Sequence, residues 1–438
     1  MIEDKDKNKN LYNSVIENED ICKIILNFLG TKKSYGKIII NKNYSYITNL
    51  FTLNKYLNNL KYNYFYYQFN ENYSLKYLYN EVFRKEVNNK IDINKQLHLT
   101  FKNNKLIEDI NPLKDVHTLN LSYTNIRDIS SLGNVYTLNL SGCKNITNVS
   151  SLGNVHNLYL SYCENITDVS YLINNHTLFL CNCYNISDVS SLGNTYTLIL
   201  YGCTGITDIS ALGNVYNLNL SGCNGITDVS SLGKVHSLNL EWCTKIHDVS
   251  SLGNVHTLNL SYCKSISNVS SLGNVYNLNL SNTNIINVSS LGNVHILNLH
   301  DCKNITDVSS LGNVYNLNLS KCYSITDVSK LYNINTLDLS FCYNINNVSS
   351  LGNIYTLDLS HTNIMNVSGL SNVHTLNLSY CTNIIDVSAL GNLHTLNLTG
   401  CIKVTDVSLL GNLYTLNLSY CKKITDINAL RNVNNLII

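Results

Sequence analysis

The sequence is poor in the features that most often announce a function. No apolar run approaches the roughly 18 residues of a membrane-spanning helix, so no span is expected. The opening MIEDKDKNKN has no apolar stretch of the kind that leads a secreted chain, which points to an intracellular, cytoplasmic protein. Charge is scarce: Asp, Glu, Lys and Arg make up 13% of residues, and the formal net charge is +1. Such a chain has no overall field to attract nucleic acid or an anionic membrane, and neither is expected as a partner. A phosphate-cradling glycine loop, a GxSxG elbow and an HExxH pair are all missing, so no enzymatic activity is expected. There is one proline, Pro112, and one tryptophan, Trp242.

What the chain does have is repetition. From Val116 onward a twenty-residue unit recurs, spelled VHTLNLSYCKSISNVSSLGN between Val255 and Asn274. A period of this size marks a stacked array. Six aliphatic positions return in nearly every copy: Val255, Leu258, Leu260, Ile266, Val269 and Leu272 here, and Val215, Leu218, Leu220, Ile226, Val229 and Leu232 earlier. Leu-x-Leu alternates with Thr, Asn and Ser, the period-two signature of a short half-buried strand. The later Val-Ser-Ser-Leu-Gly-Asn is too short for an α-helix and reads as a tight, 3₁₀-like return closed at glycine. Six aliphatic side chains cannot offset the entropy of ordering twenty residues, so one copy needs its neighbours to fold.

These residues resemble leucine-rich repeats. Val255-x-x-Leu258-x-Leu260-x-x-Cys263 follows the pattern of that family, and Ile226-Thr227-Asp228 is similar to its cysteine-containing subclass. The short return is more like the internalin type. The resemblance covers residues 94–438 and implies an α/β solenoid: a curved rod with a parallel β-sheet on its concave face and short 3₁₀ or loop returns. Eighteen Leu-x-Leu-like strands can be counted, ending at Leu436. At about 4.8 Å per strand they would extend roughly 80–85 Å. Three units are nineteen residues long, and in them Thr124, Thr283 and Thr362 stand where cysteine is usual. A unit at Leu97 and Leu99, spaced 22 residues from Leu119 and containing Pro112, reads as transitional or capping.

Of fifteen cysteines, thirteen fall in one column of the repeat. Stacked at strand spacing, parallel neighbours suit disulfide geometry poorly. They are therefore read as reduced structural thiols that bond the adjoining loop, as asparagine does in related repeats. Asn-x-Ser/Thr sequons such as those at Asn120, Asn145 and Asn148 recur through strands and turns, where glycans would disrupt the sheet, and this too favours an intracellular setting. No metal is expected: Cys181 and Cys183 are only two apart. The column His117, Tyr136, His156, Tyr196, His256, Tyr276 interchanges two flat amphipathic rings, which suits stacking and not zinc ligation. The column Asp168, Asp188, Asp208, Asp228, Asp248 alternates with Asn148, Asn268 and Asn347, as a turn-capping acceptor would. No cofactor is expected.

Ahead of the repeats, residues 1–17 read as a disordered, asparagine-rich segment. Residues 18–93 read as a small helical region. Ile21, Ile24, Ile25, Phe28 and Leu29 lie at helical spacing before Gly30. Leu50, Leu53, Tyr56, Leu57 and Leu60 mark a second helix, and SLKYLYNEVFRKEV a third. The order of Asp20–Leu29 and then Leu53–Leu60 resembles a degenerate F-box, without its usual leading Leu-Pro and with a longer stretch from Thr31 to Phe51. That resemblance implies docking of a ubiquitin-ligase adaptor through Ile21, Ile24, Ile25, Phe28, Leu29, Leu53 and Leu57. The other reading is a plain cap over the open end of the array.

Departures from the repeat mark candidate binding residues on the strand face. Tyr159, Phe179 and Ile199 replace Asn in three consecutive units, and Tyr201 follows on the same face. An exposed aromatic–aliphatic strip points to a protein partner. Glu241 and Trp242 form a second spot, since tryptophan favours interface centres, and His300, Asp301 and Lys321 a weaker third. Drift within a duplicated array is the competing explanation. Two functions follow: a protein-recognition module, with or without the ubiquitin-ligase link, or a structural scaffold.

Overall fold

The structure is a computed structural model that describes residues 32–34, 37–40, 65–90, 92–93 and 97–438. It forms two compact units, Met1–Leu198 and Ile199–Ile438. Each contains a solenoid of parallel strands and short returns.

In the first unit, Lys32–Ser34 and Lys37–Ile40 form an antiparallel hairpin, and Lys37–Ile40 runs parallel to Phe65–Gln68. Phe65–Gln68 pairs in parallel with Leu97–Thr100, so a strand precedes the coil that the sequence placed first. That coil is also of ordinary length. Leu99 lies level with Leu119, and fully buried Phe101 continues the inner column. The apparent spacing of 22 came from matching Leu97 to Leu119, one alternation out of register. Pro112 sits in the first turn of the return Asn111–Leu113, where its fixed φ fits and no N–H is required.

SLKYLYNEVFRKEV, expected as one helix, is part of two: Glu71–Tyr79 and Glu81–Lys90. Asn80 causes the break. Its backbone N–H closes the first helix on the Lys76 carbonyl, and its side chain accepts from Phe83 N at 2.9 Å to open the second. Arg84 Nη1 donates to the carbonyls of Tyr77 and Leu78, covering the exposed end of the first helix. Ser74 Oγ accepts from Thr100 N at 3.1 Å and ties the pair to the strand Leu97–Thr100. The segment 1–17, the helix expected around Leu50–Leu60 and the residues read as F-box-like, Ile21, Ile24, Ile25, Phe28, Leu29, Leu53 and Leu57, lie outside the described residues.

Eighteen described strands follow the Leu-x-Leu motifs, from Leu97–Thr100 to Asn435–Ile437, as counted from the sequence. Within each unit the described strands keep one register. In the first unit Thr118 pairs Thr137, Thr137 pairs Asn157, and Asn157 pairs Thr177. In the second, Asn217 pairs Ser237 and the same alignment continues to Asn435. Each central Leu points inward and its two neighbours outward, the pattern dictated by a two-residue side-chain period. The six aliphatic columns are buried until the last coil, where Ile427 is exposed; Leu258, Leu260, Ile266, Val269 and Leu272 are at most 1% exposed.

The return is a 3₁₀ turn such as Ser250–Asn254. Its glycine is there for closeness, not for unusual backbone angles. A Cβ on Gly253 would collide with the Ser271 carbonyl oxygen of the next coil.

Candidate recognition surface

The polar columns have structural roles that limit which residues are free for function. Thiols of the cysteine column are buried and bond a backbone carbonyl of the preceding coil: Cys243 Sγ donates to Leu220 O at 3.2 Å, and Cys263 Sγ to Leu240 O at 3.1 Å. Burial pushes the Cys163 and Cys243 thiols up to about 12, keeping them protonated and inert. In the short units Thr Oγ1 turns back to its own coil, as Thr283 does to Leu280 O at 2.6 Å, and Cys302 Sγ reaches the same oxygen at 3.1 Å. The residue missing from the short units lies after the threonine, since Thr283 is two positions from Ile285 and Cys263 three from Ile266.

Aspartates of the return column accept from the backbone two residues on: Asp228 Oδ1 takes Ser230 N at 2.8 Å. Asn268 does the same for Ser270 N at 3.0 Å, which explains the free exchange of Asp and Asn. Hydrogen bonds from Ser230, backbone first, hold the Asp228 carboxyl below its usual range. The His/Tyr column is a stack, as its composition suggested. In the first unit Tyr136, His156, His176 and Tyr196 follow at 4.6, 4.6 and 4.8 Å between centroids. Among the described residues no group of three or more His, Cys, Asp or Glu is placed to hold a metal ion. Nor is any described helix long and apolar enough to cross a membrane.

The strand-face Asn column is more than a solvated ladder, a role that sequence reading missed. Asn259 Oδ1 accepts from Ser261 N at 3.0 Å, and Asn239 Oδ1 from Glu241 N at 2.9 Å. The side chain thus caps the strand as the chain enters a left-handed residue, Tyr262 (φ 61°) or Trp242 (φ 63°). Tyr159, Phe179 and Ile199 have no oxygen that can serve this cap. The first two are brought together: their rings stack at 4.8 Å with 25° between planes, half-buried on the strand face. Ile199 and Tyr201 open the second unit, and there Tyr201 is exposed with Ile199 half-buried.

Glu241 and Trp242 lie in the second unit. Trp242 is 47% exposed and stacks on Tyr262 at 4.0 Å and 7°. It occupies a left-handed position that Gly222 fills one coil earlier without steric cost. His300, Asp301 and Lys321 do not converge on one point. His300 Nδ1 bonds Ser320 Oγ at 2.7 Å, Asp301 pairs with Lys303 at 3.6 Å, and Lys321 lies 5.7 Å over Phe341.

A second departure, also missed, accompanies the aromatic pair. Asn175 and Thr195 stand in the inner valine column and are buried. Asn175 Nδ2 donates to the Leu152 and Val155 carbonyls, but its Oδ1 and the Thr195 hydroxyl find no partner. The visible signal was polar residues at positions where the repeat demands valine.

No protein-family profile matches the chain, and neither does any curated protein. Solved structures do. An internalin from Listeria monocytogenes is 22% identical over 77% of this chain and 86% of its own, with a TM-score of 0.38. The functional domain of InlJ from the same organism, described as including a cysteine ladder, is 19% identical over 73% and 72%, with a TM-score of 0.47. A leucine-rich-repeat protein from Leptospira interrogans is 19% identical over 77% and 92%, with a TM-score of 0.49.

Proposed function

We propose that this chain is a non-catalytic recognition protein whose strand face holds another protein, with Tyr159 and Phe179 at the centre of the contact. One observation carries the reading. At both positions the array gives up a strand cap worth about 1 kcal/mol and presents a stacked aromatic pair instead. Neutral drift has no reason to exchange the same cap for an aromatic ring in two adjacent coils. Large rigid rings at modest entropic cost are what interface centres use. Ile199 and Tyr201 open the second unit and are proposed as a contact there, with Glu241 and Trp242 as another contact of that unit.

The test is affinity capture by the full chain against a variant with Tyr159, Phe179, Ile199 and Tyr201 all replaced by Ala. Loss of specific partners with an unchanged melting profile supports the proposal; an unchanged partner set leaves a scaffold role. The finer proposal rests on the F-box-like order of residues 20–60. There Ile24, Ile25 and Leu57 would dock a ubiquitin-ligase adaptor in the cytoplasm while the repeats select the protein to be modified. Failure of the full chain to co-purify the adaptor would remove that link and leave strand-face recognition standing.

A further inference from the structure

The ring ladder is not uniform along its length. Most of the stacked contacts set a histidine on a tyrosine, but in three places two histidines stack directly at less than 5 Å. These are His156 on His176 at 4.6 Å in the first unit, and His236 on His256 at 4.7 Å and His374 on His394 at 4.6 Å in the second. At each of them the backbone joins coil to coil through the same residues. His176 N and Thr177 N both donate to His156 O, His256 N and Thr257 N to His236 O, and His394 N and Thr395 N to His374 O, all at 3.0–3.1 Å. His98 and His117, at the start of the array, are wider apart at 5.6 Å, and His117 N donates elsewhere, to Ile93 O.

We infer that these three steps are acid-sensitive junctions, at which protonation of both imidazoles loosens the join between neighbouring coils while the tyrosine-separated steps stay closed. The physical basis is simple. Two unit charges about 4.6 Å apart repel, even at the dielectric of water, by an amount equal to roughly a fivefold change in an equilibrium constant. The neighbouring rings supply one tyrosine face to each paired histidine but no negative charge to offset the second cation. His156 faces Tyr136 and His176; His176 faces His156 and Tyr196, its Nδ1 lying 3.2 Å from Thr177 Oγ1. In the second unit the flanking rings are Tyr216 and Tyr276 for one pair, and Tyr355 and Tyr414 for the other. The residue two places before each paired histidine is Asn, except for Lys234 before His236, which adds positive charge.

His295 provides the internal control. It stacks between Tyr276 and Tyr315 at 4.7 and 4.8 Å, where a proton on the ring meets two aromatic faces and no second cation. The direction at His156 agrees. Burial, then His176, lowers its pKa from the ordinary value, so the folded state binds protons less readily than the unfolded chain. Stability from this group is therefore full above the unfolded-state value of about 6.5 and is lost as the pH falls below it.

Hydrogen–deuterium exchange on the full chain at pH 7.5 and pH 5.0, expressed as protection factors, tests the junctions. The amides of His176, Thr177, His256, Thr257, His394 and Thr395 should lose about fivefold or more of their protection at pH 5.0. Those of His295, Ile296, Tyr315 and Asn316 should hold theirs. His176→Tyr places in the ladder the residue already found at Tyr136 and Tyr196, and unchanged protection at pH 7.5 would show that it folds. It should abolish the acid-induced loss at 176–177 and leave the other two junctions responsive. Equal loss along the whole ladder, no loss at the paired sites, or a variant that still opens at 176–177 would each overturn the inference.

Discussion

The coils from Asn157 to Ile199 and those from Asn217 to Asn298 are written in the same repeat yet use it differently. In the second group every inner valine position is aliphatic and every strand closes on an Asn cap. In the first, the inner column contains buried Asn175 and Thr195, and the cap is replaced at Tyr159, Phe179 and Ile199. Core and surface depart together, and an array of otherwise interchangeable coils becomes locally distinct there. A repeat array can give up regularity in a few adjacent units without losing the rest, because each unit's stability depends only on itself and its neighbours.

The comparison can be broken at several strengths. Leu258→Asp puts an unpaired carboxylate into a fully packed column and should cost about 4 kcal/mol or more, removing the cooperative melt of the second unit by circular dichroism. An unaltered melt would mean that coils do not share a core. Thr195→Val removes an unpartnered buried hydroxyl and should stabilise the protein by about 1–3 kcal/mol, read as a raised denaturant midpoint, whereas Asn175→Val also gives up two donated hydrogen bonds and should gain less. The same changes have no counterpart in the second group.

A smaller and more telling effect is expected on the strand face. Phe179→Asn should restore the cap and hold or raise stability by about 0.5–1 kcal/mol while weakening partner capture; Asn259→Phe should lose a similar amount with no effect on capture. If Phe179→Asn leaves capture intact, the aromatic pair is not the site. Thiol labelling separates columns by access. Among the described cysteines, half-buried Cys181 should react in the native protein, whereas Cys163 and Cys243 should react only after unfolding.

The weakest effect belongs to the return column. Asp228→Asn should leave neutral-pH stability unchanged, since either oxygen caps Ser230 N, but it should remove one contribution to acid unfolding. The Asp228 pKa is depressed, so its contribution is present above the unfolded value of about 3.9 and lost as the pH falls below it. Acid titration followed by circular dichroism reads the difference.

Much of the fold was legible because the repeat multiplies each signal. A single Leu-x-Leu is ambiguous, whereas eighteen in one column place strand, inner face and return together. The thiol column and the ring ladder were legible for the same reason: the residue types that exchange within a column report what the position needs. The errors fell where the repeat begins. Matching Leu97 to Leu119 looked natural in one dimension, but strand pairing set Leu99 beside Leu119. Asn80 likewise ended one helix and began another through hydrogen bonds that a hydrophobic pattern does not show.

The candidate site was only half legible. Replacement of Asn by Tyr159 and Phe179 could be seen, but not what the Asn had been doing. Its cap on the residue two places ahead emerges only once the strand ends in a left-handed turn. Sequence by itself determined the coil, its inner columns and the eighteen Leu-x-Leu strands, because periodic burial leaves a periodic pattern. Tertiary structure alone decided which polar side chains are bound to backbone and which rings meet, because both depend on atoms about twenty residues apart being brought within hydrogen-bonding or stacking distance.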